Sequence, residues 1–251
     1  MTVVEVLGLI GVGLVAGVVS SVVSLASVVS YPALLAFGLP PLAANVTNTV
    51  SLVFSGLGAA AGSRPELSGH GVQVLRLAGG SVLGGAAGAA LLLLTPSRVF
   101  ELAVPWLIGL ASLALFRRPR APGEVPAQPR SAGDRALRAG VAAVAVYVGY
   151  FGAAGGLMMF ALLSSAIGEP PARLNAFKNV LTALANLVAA AGFAVFGPVQ
   201  WAVVVPLATG FLAGGWLGPG IVRRMPGQTL RVVAALCGIA VAVKLGLDAY
   251  R

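Results

Sequence analysis

Charge, cysteine, histidine and acidic side chains are all scarce in this chain of 251 residues. Charged residues make up 9% and hydrophobic ones 58%, and the mean hydropathy is +0.97. An average soluble domain carries about a quarter charged residues, so an ordinary soluble enzyme is excluded, as are disorder and collagen-like repeats. The single cysteine, Cys237, excludes an internal disulfide and a cysteine metal cluster. With one histidine, His70, in a short loop and no HExxH, neither a metal site nor a Ser/His/Asp set is expected. His70 itself reads as a solvated loop residue. The expectation is therefore no catalytic residues and no cofactor. All seven acidic residues lie in loops or near segment ends, so no embedded carboxylate pair offers a proton relay.

Long apolar runs are what the chain has in abundance. A spanning helix needs about 20 apolar residues to cross a hydrocarbon core roughly 30 Å thick. Apolar stretches cover 3–38, 43–62, 72–94 and 99–116, then 139–167, 176–196, 200–222 and 229–247. This is an all-α polytopic membrane protein, expected as a multi-pass protein of the plasma membrane. Its start, Met1-Thr2-Val3-Val4-Glu5, has no basic region, so a cleaved signal peptide is not expected. The formal charge of +9 sits in loops between apolar segments. There it marks the cytoplasmic side rather than a nucleic-acid surface. The lipid bilayer is the partner, nucleic acid is not, and a homo-oligomer is compatible with the sequence.

Residues 117–138 form the one polar stretch, with six arginines and four prolines, and read as a cytoplasmic linker. They separate a first repeat, 1–116, from a second, 139–251. A shift of 130 superimposes the two. Gly38-Leu39-Pro40-Pro41 falls on Gly168-Glu169-Pro170-Pro171, Asn45 on Asn175, and Gly62 on Gly192. Gly80, Gly84, Gly85 and Gly88 fall on Gly210, Gly214, Gly215 and Gly218, and Pro96 falls on Pro226. The glycines spaced by four present a flat helix face for close packing.

The first stretch of each half is too long for one span, since residues 3–38 would make a helix of about 54 Å. It must break, at Ser20-Ser21 or Ser24 in the first half and at Gly152-Ala153-Ala154-Gly155-Gly156 in the second. Counting each broken stretch as one crossing gives eight segments, and counting it as two gives ten. With five crossings per half, Lys and Arg split thirteen to three between the two sides; with four they split ten to six. The positive-inside rule favours five, and an odd number inverts the second half. The expected fold is thus two inverted repeats of about five helical segments each, 8–10 in total, with broken helices at the repeat interface.

Two polar clusters follow the Pro-Pro turns. One is Asn45-Val46-Thr47-Asn48-Thr49, ending in Ser51. The other is Asn175-Ala176-Phe177-Lys178-Asn179, with Thr182 and Asn186 beyond. An asparagine there can cap its helix, or the cluster can make a donor-rich anion site at a helix start. Lys178 is either an interfacial snorkelling lysine or the counter-charge for an anion. Gly152, Gly155 and Gly156 either pack helices or expose backbone at a break beside a wet cavity.

On these residues the chain resembles the sulfite exporter TauE/SafE family of membrane permeases, over nearly its whole length. The likeness rests on the glycine-rich break at 152–156, the Gly-Leu-Pro-Pro turn with its Ala-Asn-Val-Thr-Asn, and the Gly-x3-Gly-x3-Gly segment in each half. The first half departs from it with Val22-Val23-Ser24-Leu25-Ala26 where a glycine-rich break is usual. The resemblance implies a transporter whose small anionic substrate is a sulfur oxyanion or an organosulfonate (sulfite- or sulfoacetate-like). The absence of a catalytic set disfavours an enzyme, and efflux is the expected direction because a negative interior pushes anions outward. An anion channel, or an uptake permease for another small organic anion, is the alternative. Asn45, Thr47, Asn48, Thr49, Asn175, Lys178 and Asn179 are the expected substrate-binding residues, with Gly152, Gly155 and Gly156 at the break.

The inverted arrangement places the loop near Arg64 and the linker near Arg120 on the cytoplasmic side, and the loops near Arg98 and Gly197 outside. Single cysteines at 98 and 120 in a Cys237→Ala background should label from opposite faces; labelling from the same face contradicts the inversion.

Overall fold

The computed structural model describes residues 1–23, 25–114 and 130–222, with positions 239, 243 and 247 besides. The described residues form helices and no strands. In chain order these are α1 (Val3–Val23), α2 (Ala26–Ala36), α3 (Pro41–Gly62), α4 (Arg64–Leu67), α5 (Gly71–Leu94) and α6 (Ser97–Ala114). The second half gives α7 (Arg130–Tyr150), α8 (Gly155–Ala166), α9 (Pro171–Phe196) and α10 (Trp201–Val222). Apart from positions 239, 243 and 247, the expected segment over 229–247 lies outside the described residues, as do Pro226 and Cys237.

Among the described residues, four helices are long and apolar enough to cross a membrane: Val3–Ser21, Gly71–Leu94, Pro171–Phe196 and Trp201–Ile221. Helix α3 is of similar length, but Asn45, Thr47, Asn48, Thr49 and Ser51 dilute its apolar character. Two sequence expectations need correction. Ser20-Ser21 is not the first break: α1 runs through it to Val23, and α2 starts at Ala26. A lone serine is tolerated in a helix when its hydroxyl finds a partner, and Ser21 Oγ donates to the Gly215 carbonyl at 3.2 Å. Nor is the whole of 117–138 a loop, because the helix begins at Arg130. An i,i+4 pair at 2.6 Å, Asp134 with Arg138, supports its first turns.

The turns that set the entry of α3 and α9 follow from their sequences. Gly38 sits at φ +86, a left-handed conformation that suits glycine. There Gly38 N–H donates to Leu35 and Leu39 N–H to Leu34, closing α2 as a Schellman motif. Pro41 and Pro171 then occupy the first helical positions of α3 and α9, where a missing N–H costs nothing.

The halves pack into each other with matching partners. Helix α1 lies along α10, and its counterpart α7 lies along α5; α3 packs on α10, and α9 on α5. The glycine faces read from the sequence make these contacts. A Cβ on Gly84 or Gly88 would strike the Ala142 or Val146 carbonyl of α7, and one on Gly210 or Gly214 the Ile10 or Leu14 carbonyl of α1. Gly85 and Gly215 face the other way, onto Ala185 of α9 and Ser55 of α3. Lipid tails are as apolar as side chains, so helices in a bilayer gain little by hiding them; backbone-to-backbone approach is what these glycines provide. Helices α3 and α9 cross at Gly56, against Ala183, and the two broken stretches flank that crossing.

Candidate functional site

Each break ends a helix inside the protein, which leaves carbonyls without intrahelical partners. At the second break α7 stops at Tyr150. The chain then turns through Gly152 at φ +76 and Ala154 at φ +58 before α8 begins at Gly155. Ala154 carries its left-handed conformation without being glycine, at a cost of order 1–2 kcal/mol. The Tyr147 hydroxyl braces the turn, donating to the Ala153 carbonyl at 2.8 Å. Gly155 packs against Val148 with no room for a Cβ. At the first break, Leu25 with φ −129 leads into α2.

The polar clusters reach across to these breaks. Asn45 Nδ2 donates to the Tyr150 carbonyl at 3.1 Å, and Asn175 Nδ2 to the Ser21 carbonyl at 3.3 Å. Each asparagine therefore holds the end of the other half's first helix. Neither caps its own helix: the N-caps are Pro40 and Pro170, with Asn45 and Asn175 in the second turn. Lys178 Nζ donates to the Ser20 carbonyl at 3.4 Å, a cation where the α1 dipole ends negative. Lys178 is 1% exposed, so the snorkelling reading does not hold.

A partly open cavity of about 50 Å³ lies between the breaks. At roughly 10–15 Å³ per water on this measure, it has room for about three to five waters, or one small oxyanion. Ser20 of α1, Ala26 and Ser27 of α2, Gly152, and Gly156 of α8 close its ends. Ser55, Gly56 and Ala59 of α3 face Lys178, Asn179, Thr182 and Asn186 of α9. No carboxylate lines it among the described residues.

The ten residues expected to form the site divide in two. Lys178, Asn179, Gly152 and Gly156 line the cavity; Asn45, Thr47, Asn48, Thr49, Asn175 and Gly155 do not. The first-half cluster is engaged elsewhere. Thr47 Oγ1 accepts from Gln200 N–H at 3.0 Å, beneath the start of α10. Thr49 Oγ1 donates back to the Asn45 carbonyl at 2.9 Å, and Asn48 bonds to Ser27 and Ser30. By contrast, Asn179 Nδ2 is buried without a partner among the described residues. Phe177, the counterpart of Thr47, lies beneath His70 with ring centroids 6.0 Å apart. His70 stays in the loop before α5 with its side chain 26% exposed, and its Nδ1 lies 2.8 Å from the Ser68 carbonyl. Ser27, Ser55 and Gly56 went unread in the sequence. Ser27 carried a usable signal, since it lies one turn from the break on the same stretch.

The model of the sulfite exporter TauE/SafE family matches residues 9–245. The chain belongs to the TauE/SafE family. No curated protein and no solved structure matches it. Family membership makes it a membrane transporter rather than an enzyme, of sulfite or a related anion. For a TauE/SafE permease this interior is chemically apt: N–H and O–H donors, one lysine and two broken helices converge on a space the size of a small anion.

Asn45→Ala and Asn175→Ala each strand a buried carbonyl, worth about 1–3 kcal/mol. Both variants should melt several degrees below the wild type in detergent. They should also transport more slowly, because the break each asparagine holds is loosened. Wild-type melting and wild-type rates in both would show that these cross-half bonds carry nothing.

Proposed function

We propose that this permease moves a small sulfur oxyanion or organosulfonate out of the cell across the plasma membrane, through the cavity between its two breaks. Its halves are inverted, and it crosses the bilayer many times. The observation that carries the reading is Asn179. Its amide nitrogen is buried, has no partner among the described residues, and belongs to a residue lining the same small cavity as Lys178. Buried donors aimed at an oxyanion form short, charge-assisted hydrogen bonds. A lysine in the same wall adds charge complementarity.

The volume favours an inorganic anion of four or five heavy atoms. Sulfoacetate or taurine would fit only if the cavity widened during transport. In the sequence-based reading, Asn45, Thr47, Asn48, Thr49, Asn175 and Gly155 belong to the binding set as well. Their partners suit them to shaping the walls around Lys178, Asn179, Gly152 and Gly156.

Among the described residues no carboxylate lines the cavity to serve as an acidic vehicle for proton symport. Membrane potential supplies about 2.3 kcal/mol per charge per 100 mV, and a negative interior drives anions outward. Electrogenic efflux follows, driven by potential and by the substrate's own gradient. Proteoliposomes tested with sulfite, sulfate, thiosulfate, taurine and sulfoacetate should carry at least one of them. A valinomycin-clamped potassium gradient should speed it toward the positive side, and Lys178→Met should cut the rate at least tenfold. Transport indifferent to potential yet accelerated by a pH gradient would overturn the electrogenic reading. Undiminished transport by Lys178→Met would overturn the cavity as the route.

A further inference from the structure

Asn48 is the counterpart of Lys178 in the first half, and it does not line the cavity. Its side chain lies behind Ser27, which does. Two distances fix the orientation of its amide. Ser30 Oγ to Asn48 Oδ1 is 2.6 Å, the length of an O–H···O bond and short for N–H···O. Asn48 Nδ2 to Ser27 Oγ is 3.2 Å, which suits N–H···O. Ser30 therefore gives its proton to Asn48, and Asn48 gives one of its own to Ser27. The Ser30 hydroxyl also lies 2.9 Å from the Ala26 carbonyl, the longer of its two contacts.

The consequence falls on Ser27. Its oxygen accepts from Asn48, so its own proton is left to donate, and that proton has no acceptor among the described residues. Ser27 is 5% exposed and shares the cavity with Lys178 and Asn179. The neutral relay Ser30–Asn48–Ser27 thus occupies the place where the second half has a lysine.

We propose that Ser27 is a third donor to the bound oxyanion and that Asn48 is a positioning residue that turns the Ser27 hydroxyl into the cavity. This rests on the cavity being the anion site. The first half then supplies an oriented neutral donor and the second half supplies charge. The ligand class is a small oxyanion able to accept from three sides, whether free or as a sulfonate headgroup.

Sulfite transport in proteoliposomes tests the proposal through the apparent KM. Ser27→Ala should raise KM about tenfold, as expected for losing one hydrogen bond to a charged group. Ser27→Thr, which keeps the hydroxyl, should restore it. Asn48→Leu should raise KM when Ser27 is present and add nothing in the Ser27→Ala background. A purely structural role for Asn48 would not produce that dependence. Unchanged KM in a well-folded Ser27→Ala variant, or a Ser27→Thr variant as impaired as Ser27→Ala, overturns the donor role. Equal effects of Asn48→Leu in both backgrounds overturn the positioning role. Should Asn48→Leu fail to fold, the two Ser27 variants still decide the donor role. Lys178→Met separates this proposal from the reading beneath it. If Lys178→Met abolishes transport while Ser27→Ala is silent, Ser27 alone is wrong; if both are silent, the cavity is not the site.

Discussion

A polar backbone group exposed within a membrane protein must be satisfied by protein or by a wet cavity, because lipid offers no partner. Two helices of this chain stop inside the structure, so their terminal carbonyls create that demand twice. Asn45 meets it for α7 at Tyr150, and Asn175 meets it for α1 at Ser21. Each bond crosses from one half of the chain to the other. The ends of the two breaks, and with them the cavity between, are held by these ties.

Close packing makes the ties reachable. Gly84 and Gly88 bring α5 against the backbone of α7, while Gly210 and Gly214 bring α10 against α1. Helices α3 and α9, which carry the asparagines, are held in turn against the backs of α10 and α5 through Gly215 and Gly85. Symmetry ends at the side chains. Lys178 and Asn179 face the cavity from α9, while the matching positions of α3, Asn48 and Thr49, are spent on hydrogen bonds to neighbours. Among the described residues, the matching halves thereby present one lysine to the cavity rather than two.

The frame was legible in the sequence because it is written in periodic features. Apolar length marked the helices, glycine spacing marked their contact faces, and the Pro-Pro turns marked where α3 and α9 begin. The glycine-rich break at 152–156 was legible too, since few other residues tolerate the positive φ of Gly152. The first break was harder, because its serines could equally continue a helix, and Ser20-Ser21 does. Site membership was only half legible. The polar clusters stood out, yet whether an asparagine faces a cavity or a carbonyl depends on helix rotation and on partners more than a hundred residues away. Ser27 shows the reverse case: its place one turn from the break was its one signal in sequence, and tertiary packing sets it in the same cavity as Lys178.

On the proposed route the anion sits between the two breaks, on the Lys178–Asn179 side. Selenate or selenite would report its position directly. Crystals grown with either anion and measured at the selenium edge should show one anomalous peak inside the bundle, within hydrogen-bonding reach of Lys178 Nζ and Asn179 Nδ2. A peak beside Asn45 and Thr47 instead, or none within the bundle while the same anion competes for transport, would contradict the account.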